Sequence, residues 1–276
     1  MDFENVLTLI QKELRDAFRN RWFLLYAIAF AALSLALAWF SVSGAGSFGV
    51  AGFGRTTAGL INLILLIVPL MGLTLGAMSL AGEREKGTLI YLMAQPISSV
   101  ELLLGKFVGL ALALTAALVI GFGLTGILMA FVGGGGDFQV YLTLLVLSVL
   151  LAVASLSMGF LISAAVKKAA TAVGLALFLW LILVYFGDLG LMGTAVVMQI
   201  KVEQLLTLAL INPLQVFKLA AVLDLRDNLE VLGPAGIYAF RTYGGALWPL
   251  LVGLLFAWVV LPFLLATQVF KKRGVL

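Results

Sequence analysis

At 276 residues the chain is long enough for a sizeable fold, but it is 63% hydrophobic and 11% charged, with a mean hydropathy of +1.18. Soluble domains carry about 25% charged residues, so the composition describes an integral membrane protein and excludes an ordinary soluble domain. There is no cysteine and no histidine, which excludes disulfides and removes the commonest metal ligand and general base. The formal net charge of +4 matters less than where the charges lie.

The first element in chain order is amphipathic. Phe3, Val6, Leu7, Ile10, Leu14, Ala17 and Phe18 recur at helical spacing, with Lys12, Arg15 and Arg19 on another face. This predicts an interfacial helix with its bases toward lipid phosphates, either a plain anchor or an elbow framing a partner's docking site. Six stretches then approach the roughly 20 apolar residues that a spanning helix needs: Trp22–Phe40, Ala58–Leu80, Phe107–Val132, Val140–Val166, Ala169–Phe186 and Ala246–Phe270. The first is longer than the apolar core of a signal peptide and follows a helix, so it reads as a span. Four glycines and Asp137 separate the third and fourth spans, and Lys167 and Lys168 separate the fourth and fifth. Both pairs read as antiparallel hairpins. Pro69 predicts a kink in the second span, and Asn62 is the most polar side chain within a span. Gly72/Gly76, Gly105/Gly109 and Ser155/Gly159 permit close helix packing without naming their partners.

Between Asp188 and Gly245 the chain is too apolar for a disordered linker. Asn212 and Pro213 read as an N-cap and first-turn proline opening a helix to about Leu223, and 196–210 is also helical in pattern. The segment predicts an extracytoplasmic helical cap. The whole is a single all-α, polytopic membrane domain over 1–276: an interfacial helix (1–21), spans one to five (22–187), the cap (188–245) and span six (246–270). Of the 17 lysines and arginines, 12 fall on one side, leaving Arg55, Lys201, Lys218, Arg226 and Arg241 on the other. The excess places both termini in the cytoplasm.

No acid or base lies inside a span away from its ends, so an ion-driven transporter or an intramembrane enzyme is disfavoured. Asp224 and Asp227 could hold a divalent ion, but a solvated loop end is the simpler reading. Work must therefore enter from outside the chain. The stretch Gly82-Glu83-Arg84-Glu85-Lys86-Gly87-Thr88-Leu89 begins like a P-loop and fails to become one, because Thr88 stands where the lysine is required. Leu89, Leu92 and Met93 then offer an apolar patch, Pro96 breaks the segment, and Ser98 or Ser99 caps a new helix with Glu101 in its first turn. An exposed apolar patch among charges predicts a protein-docking surface.

With Pro96-Ile97-Ser98 and Leu104-Gly105-Lys106, this stretch resembles the membrane-permease subunit of type-V (ABC-type-two) ABC exporters. The resemblance covers the whole chain, including the first helix ending in Arg19-Asn20-Arg21 and the cap before the last span. Within that class it looks nearest to permeases of the copper-site maturation system of nitrous-oxide reductase, on residues 103–109, 186–190 and 211–214. The resemblance implies a homodimer over two copies of a separate ATPase that holds ATP and Mg²⁺. This chain would bind no cofactor, metal or nucleic acid, perform no catalysis, and meet membrane lipid. It implies that Glu83, Arg84, Glu85, Lys86, Gly87, Thr88, Leu89 and Leu92 form the segment coupled to the ATPase. Lys167 and Lys168 would be a second cytoplasmic contact, or positive-inside anchors. Asn212, Pro213, Met192 and Met198 would face substrate or an extracytoplasmic accessory protein, the methionines either as soft copper(I) contacts or as packing. Export of a cargo and mechanical remodelling of an outer partner both fit; an ATP-independent channel or scaffold is a third reading.

Overall fold

The structure is a computed structural model that describes residues 3–43, 49–95, 97–132, 138–185, 187, 202–224 and 233–273. Among these residues the secondary structure is helical throughout, with no strand. The helices are α1 (Phe3–Arg19), α2 (Arg21–Ser43), α3 (Gly49–Glu85), α4 (Thr88–Met93), α5 (Ser99–Val132), α6 (Phe138–Ala165), α7 (Ala169–Tyr185), α8 (Val202–Ile211), α9 (Pro213–Asp224), α10 (Gly233–Tyr243) and α11 (Leu247–Arg273). A 3₁₀ turn at Gly244–Ala246 joins the last two.

Helices α2, α3, α5, α6 and the stretch Gly236–Lys272 containing α11 are long and apolar enough to cross a bilayer. The fifth expected span is α7, a shorter apolar helix of 17 residues, at the lower edge of the roughly 17–25 residues that suffice. The α8–α9 pair passes the same test only together, bent by 109° at Asn212. Within it α9 is not laid on a surface: no residue from Pro213 to Leu223 is exposed, and α9 packs against α6 and α11. Met192 and Met198 lie outside the described residues.

At 37 and 34 residues, α3 and α5 are about 50–55 Å long at 1.5 Å per residue, against a hydrocarbon core of about 30 Å. They overrun the apolar layer, so Glu83 near the end of α3 and Lys106 near the start of α5 can sit at its rim. Helix α3 continues through Pro69. One residue beyond the carbonyl deprived of its helical donor, Leu66 O accepts from Trp180 Nε1 of α7 at 3.0 Å.

Close backbone approach organises the bundle. A Cβ added to Gly72 would lie 2.5 Å from the Ala152 carbonyl and 2.8 Å from Ser155 Cβ, and one on Gly76 would meet Leu156, Gly159 and Phe160. The pairs Gly72/Gly76 and Ser155/Gly159 are thus two sides of one α3–α6 seam. Ser163 of α6 continues it, donating to Ala77 O at 2.6 Å and accepting from Ala81 N at 2.8 Å, two groups four residues apart on α3. On its other side α6 runs beside α11, where Ser157 donates to Val259 O at 2.6 Å and Phe160 and Phe263 meet Phe107 of α5 in edge-to-face and tilted ring contacts.

The Gly105/Gly109 pair receives α1. A Cβ at Gly105 would lie 2.5 Å from Leu9 Cβ, and one at Gly109 would lie 2.7 Å from Glu13 Cβ. The buried stripe of α1 is therefore Leu9, Glu13 and Ala17, while Leu7 and Phe18 are exposed. This corrects the expected stripe: the groove on α5 selects the face, and that face contains an acid.

We expect Gly76→Val to wedge α3 off α6 and destabilise the protein by about 1–3 kcal/mol, the cost of overpacking. Gly82→Ala meets nothing within 4 Å and should leave the melting temperature in detergent unchanged or raise it. Equal melting temperatures for both variants would refute the seam.

Candidate functional site

The site gathers where α3 ends. Gly87, at φ 73°, takes the left-handed conformation that commonly stops a helix and that costs glycine least. Its N–H donates to Arg84 O at 3.1 Å, and Lys86 N donates to Gly82 O at 3.2 Å. The chain then reverses into α4, with Thr88 Oγ1 donating to Glu83 O at 3.2 Å. After α4, Ser98 and Glu101 open α5 with a reciprocal capping box: Glu101 N donates to Ser98 Oγ at 3.2 Å and Ser98 N to Glu101 Oε2 at 2.9 Å.

The three consecutive charges at the end of α3 each have an internal partner. Glu83 turns inward: its Oε1 accepts from Lys106 Nζ at 2.8 Å and from Lys12 Nζ at 3.3 Å. Lys106, whose side chain is 1% exposed, also donates to Glu13 Oε1 at 2.6 Å, and Lys12 reaches the same atom at 3.0 Å. Two ammonium and two carboxylate groups thus join α1, α3 and α5. Arg84 Nη1 donates to the carbonyls of Ser163 and Val166 at the end of α6. Glu85 Oε2 accepts from Ala169 N at 2.8 Å at the start of α7. Base on carbonyls and acid on N–H are the pairings that helix ends favour.

Burial raises the Glu13 carboxyl, but the Lys106 ammonium beside it, with Lys12, outweighs this and holds it below its ordinary value of 4.5. Lys12 loses solvation too, which lowers its affinity for a proton, yet Glu13 and Glu83 together push it above the usual lysine value.

Helix α4 divides by face. Leu89 is fully buried, and Leu92 and Met93 are half-buried against the core. Ile90 and Tyr91 point outward, 57% and 78% exposed. The apolar patch expected at Leu89, Leu92 and Met93 is therefore the anchor, and the accessible patch is Ile90 and Tyr91, beside the exposed Lys86 and Thr88. Lys167 and Lys168 are exposed next to Ala169, where Glu85 binds. Lys167 and Lys168 thus lie beside the charged end of α3, joined to it through Glu85.

Asn212 and Pro213 stand apart from it. Asn212 Nδ2 donates to Leu183 O of α7 at 2.7 Å, and its Oδ1 accepts from Leu214 N at 3.0 Å. Pro213 is buried in the first turn of α9. They cap and seat a helix, and the exposed side chains nearby are Leu208 and Ile211. No group of three or more His, Cys, Asp or Glu able to hold a metal occurs among the described residues.

Glu13, Ile90 and Tyr91 escaped the reading of the sequence, which placed Lys12 toward lipid phosphates and named Lys106 only within its motif. The signal for Glu13 and Lys106 was present: Glu13 shares a face with Leu9 and Ala17 at four-residue spacing, and Lys106 stands between Gly105 and Phe107 at the start of an apolar helix.

A family model described as ABC-2 family transporter protein matches residues 7–275. Two relatives bear the name "Probable ABC transporter permease protein NosY". The protein from Stutzerimonas stutzeri is 32% identical over 275 residues, covering 97% of this chain and 98% of its own. That from Pseudomonas aeruginosa is 33% identical over 272 residues, covering 90% of this chain and 97% of its own.

Removing the buried cation strands two acids. Lys106→Met is expected to destabilise by about 3 kcal/mol or more, as when one partner of a buried ion pair is lost, measured by thermal unfolding in detergent. Because Glu13 is held below 4.5, its contribution is complete above that pH and disappears as pH falls through the lower folded value. Below pH 4.5 the stability of the protein should fall more steeply with acid than that of Glu13→Gln. Identical acid slopes would show that Glu13 is not stabilised as an anion.

Proposed function

The chain belongs to the ABC-2 family of transporter proteins, and from that premise we propose that it is the membrane subunit through which a separate ATPase drives export across the cytoplasmic membrane. The patch of Ile90 and Tyr91 on α4 is the observation that carries this reading. Two large apolar side chains project from a six-residue helix whose other face is fixed to the bundle. The charged rim around them belongs to the basic end of the molecule, which the positive-inside rule directs to the cytosol. Aromatic side chains that enter a partner's pocket dominate binding energy, whereas rim charges mainly set orientation and encounter rate. In this assignment Ile90 and Tyr91 enter a cleft of the ATPase, and Lys86, Lys167 and Lys168 form the rim.

The chain itself lacks a nucleotide-binding loop, since Thr88 replaces the required lysine and Glu83, Arg84 and Glu85 are turned to internal partners. ATP and Mg²⁺ belong to the partner, and the work of hydrolysis arrives through α4. Two copies of the chain over two ATPase subunits make the working unit, with the α8–α9 end toward the extracytoplasmic side and any accessory protein there. The narrower resemblance to copper-site maturation permeases gives the assembly its biological setting.

Purified alone, the chain is expected to hydrolyse no ATP. Ile90→Ala with Tyr91→Ala should weaken association with the co-expressed ATPase by about 2 kcal/mol or more, roughly thirtyfold in affinity, with little change in melting temperature because both side chains are exposed. Retention of the ATPase at native affinity by the double variant would place the docking surface elsewhere.

A further inference from the structure

We propose that Lys106 is a positioning residue that makes α1 a moving part of the machine, tied to the coupling segment so that α1, the inner end of α3, α4 and the start of α5 shift as one body. The proposal rests on the preceding reading that α4 receives the push. A helix serving only as an anchor needs an apolar face and peripheral bases. In α1 the buried face carries an acid instead, and Glu13 lies on the same ammonium as Glu83, Lys106 Nζ being 2.6 Å from one and 2.8 Å from the other. Burying such a group is costly unless each charge is paired in good geometry. The arrangement therefore holds in one register only.

Shape enforces the same register. Leu9 rests on Gly105 and Glu13 on Gly109, at separations that leave no room for a Cβ on either glycine. Sliding α1 along α5 would both break the ion pairs and drive side chains into backbone. Thr88 and Gly87 bind α4 back to Glu83 and Arg84, so a force on Ile90 or Tyr91 arrives at Glu83 within one turn. From there it meets Lys106, and through Lys106 it meets α1. Lys12 contributes from the outer side of the cluster, touching Glu13, Asp16 and Glu83.

The test uses the full complex with its ATPase. The chain has no cysteine, so spin labels can be placed at Gln11→Cys on α1 and Gln95→Cys just after α4, both exposed positions. In the otherwise native chain the distance between them is expected to be the same without nucleotide and with a trapped ATP analogue. In Lys106→Met it should change between the two states. The factor by which the permease alters ATP turnover should fall roughly 2-fold to 30-fold, the range for residues that carry coupling between sites. Lys106→Arg keeps a cation between both carboxylates and should restore both readouts. A nucleotide-dependent distance in the native chain, or a Lys106→Met complex that keeps both native readouts, overturns the proposal. If Lys106→Met does not assemble, Glu13→Gln decides, because it cuts the tie on the α1 side and leaves Lys106 paired to Glu83: a distance that becomes nucleotide-dependent supports the tie, and an unchanged one refutes it. Loss of the docking reading is seen separately, as a native chain that retains no ATPase.

Discussion

One ammonium group holds together the end of the molecule where α1, α3 and α5 meet. Lys106 is buried between carboxylates that lie 93 residues before it and 23 residues before it in the chain. Neither acid would be tolerable there without the base, nor the base without an acid. A single lysine facing two carboxylates leaves an excess negative charge, and Lys12, half-exposed at the edge, offsets it. The two glycines beside Lys106 follow from the same constraint. For so short a side-chain reach, α1 must come close, and Gly105 and Gly109 let its backbone do so.

The charged stretch at the end of α3 is bound to the rest of the bundle. Glu83 is fixed to α1 and α5, Arg84 to the end of α6 and Glu85 to the start of α7. Three neighbouring residues reach four helices because successive side chains on a helix point about 100° apart. Exposed charges contribute little to holding two bodies together, so internal use of these three is the stronger arrangement. In the proposed assembly docking falls to Ile90 and Tyr91, the large side chains that α4 leaves exposed. The positive φ of Gly87 turns the chain so that Leu89 goes inward while they go out.

Much of this was legible without coordinates, for reasons that differ by residue. Helical spans follow from the length of apolar runs. The capping box at Ser98 and Glu101 is a contact between residues three apart, and it formed as the spacing predicts. Asn212 and Pro213 opened a helix as their order implies, with Asn212 half-buried and bound to Leu183 O and Pro213 buried. Long-range pairings were beyond the pattern: Gly72 and Gly76 could be named as a packing pair, but not as the mate of Ser155 and Gly159. Glu13 was passed over because an acid on a short amphipathic helix ordinarily faces water, and its partner lies in another span. On α4, six residues give too short a period to tell the inward face from the outward one, so Leu89 and Ile90 could not be sorted.

The seam between α3 and α6 gives the inner end its reach. Backbone contact at Gly72, Gly76 and Gly159 leaves no compliant side chain to absorb a displacement, and Ser163 adds hydrogen bonds to the α3 backbone where the charged segment begins. A shift of α3 must therefore carry α6, and α6 abuts α11 and the buried α9. At the far end α9 meets α8 at 109°, where the Asn212 side chain fixes the bend to Leu183 of α7. Helix α7 in turn starts at the amide held by Glu85. The bend is thus joined to the end of α3 by two routes of direct contact, through α3 and α6 and through α7. If α4 receives the push as proposed, a seam without slack carries it to the bend along both.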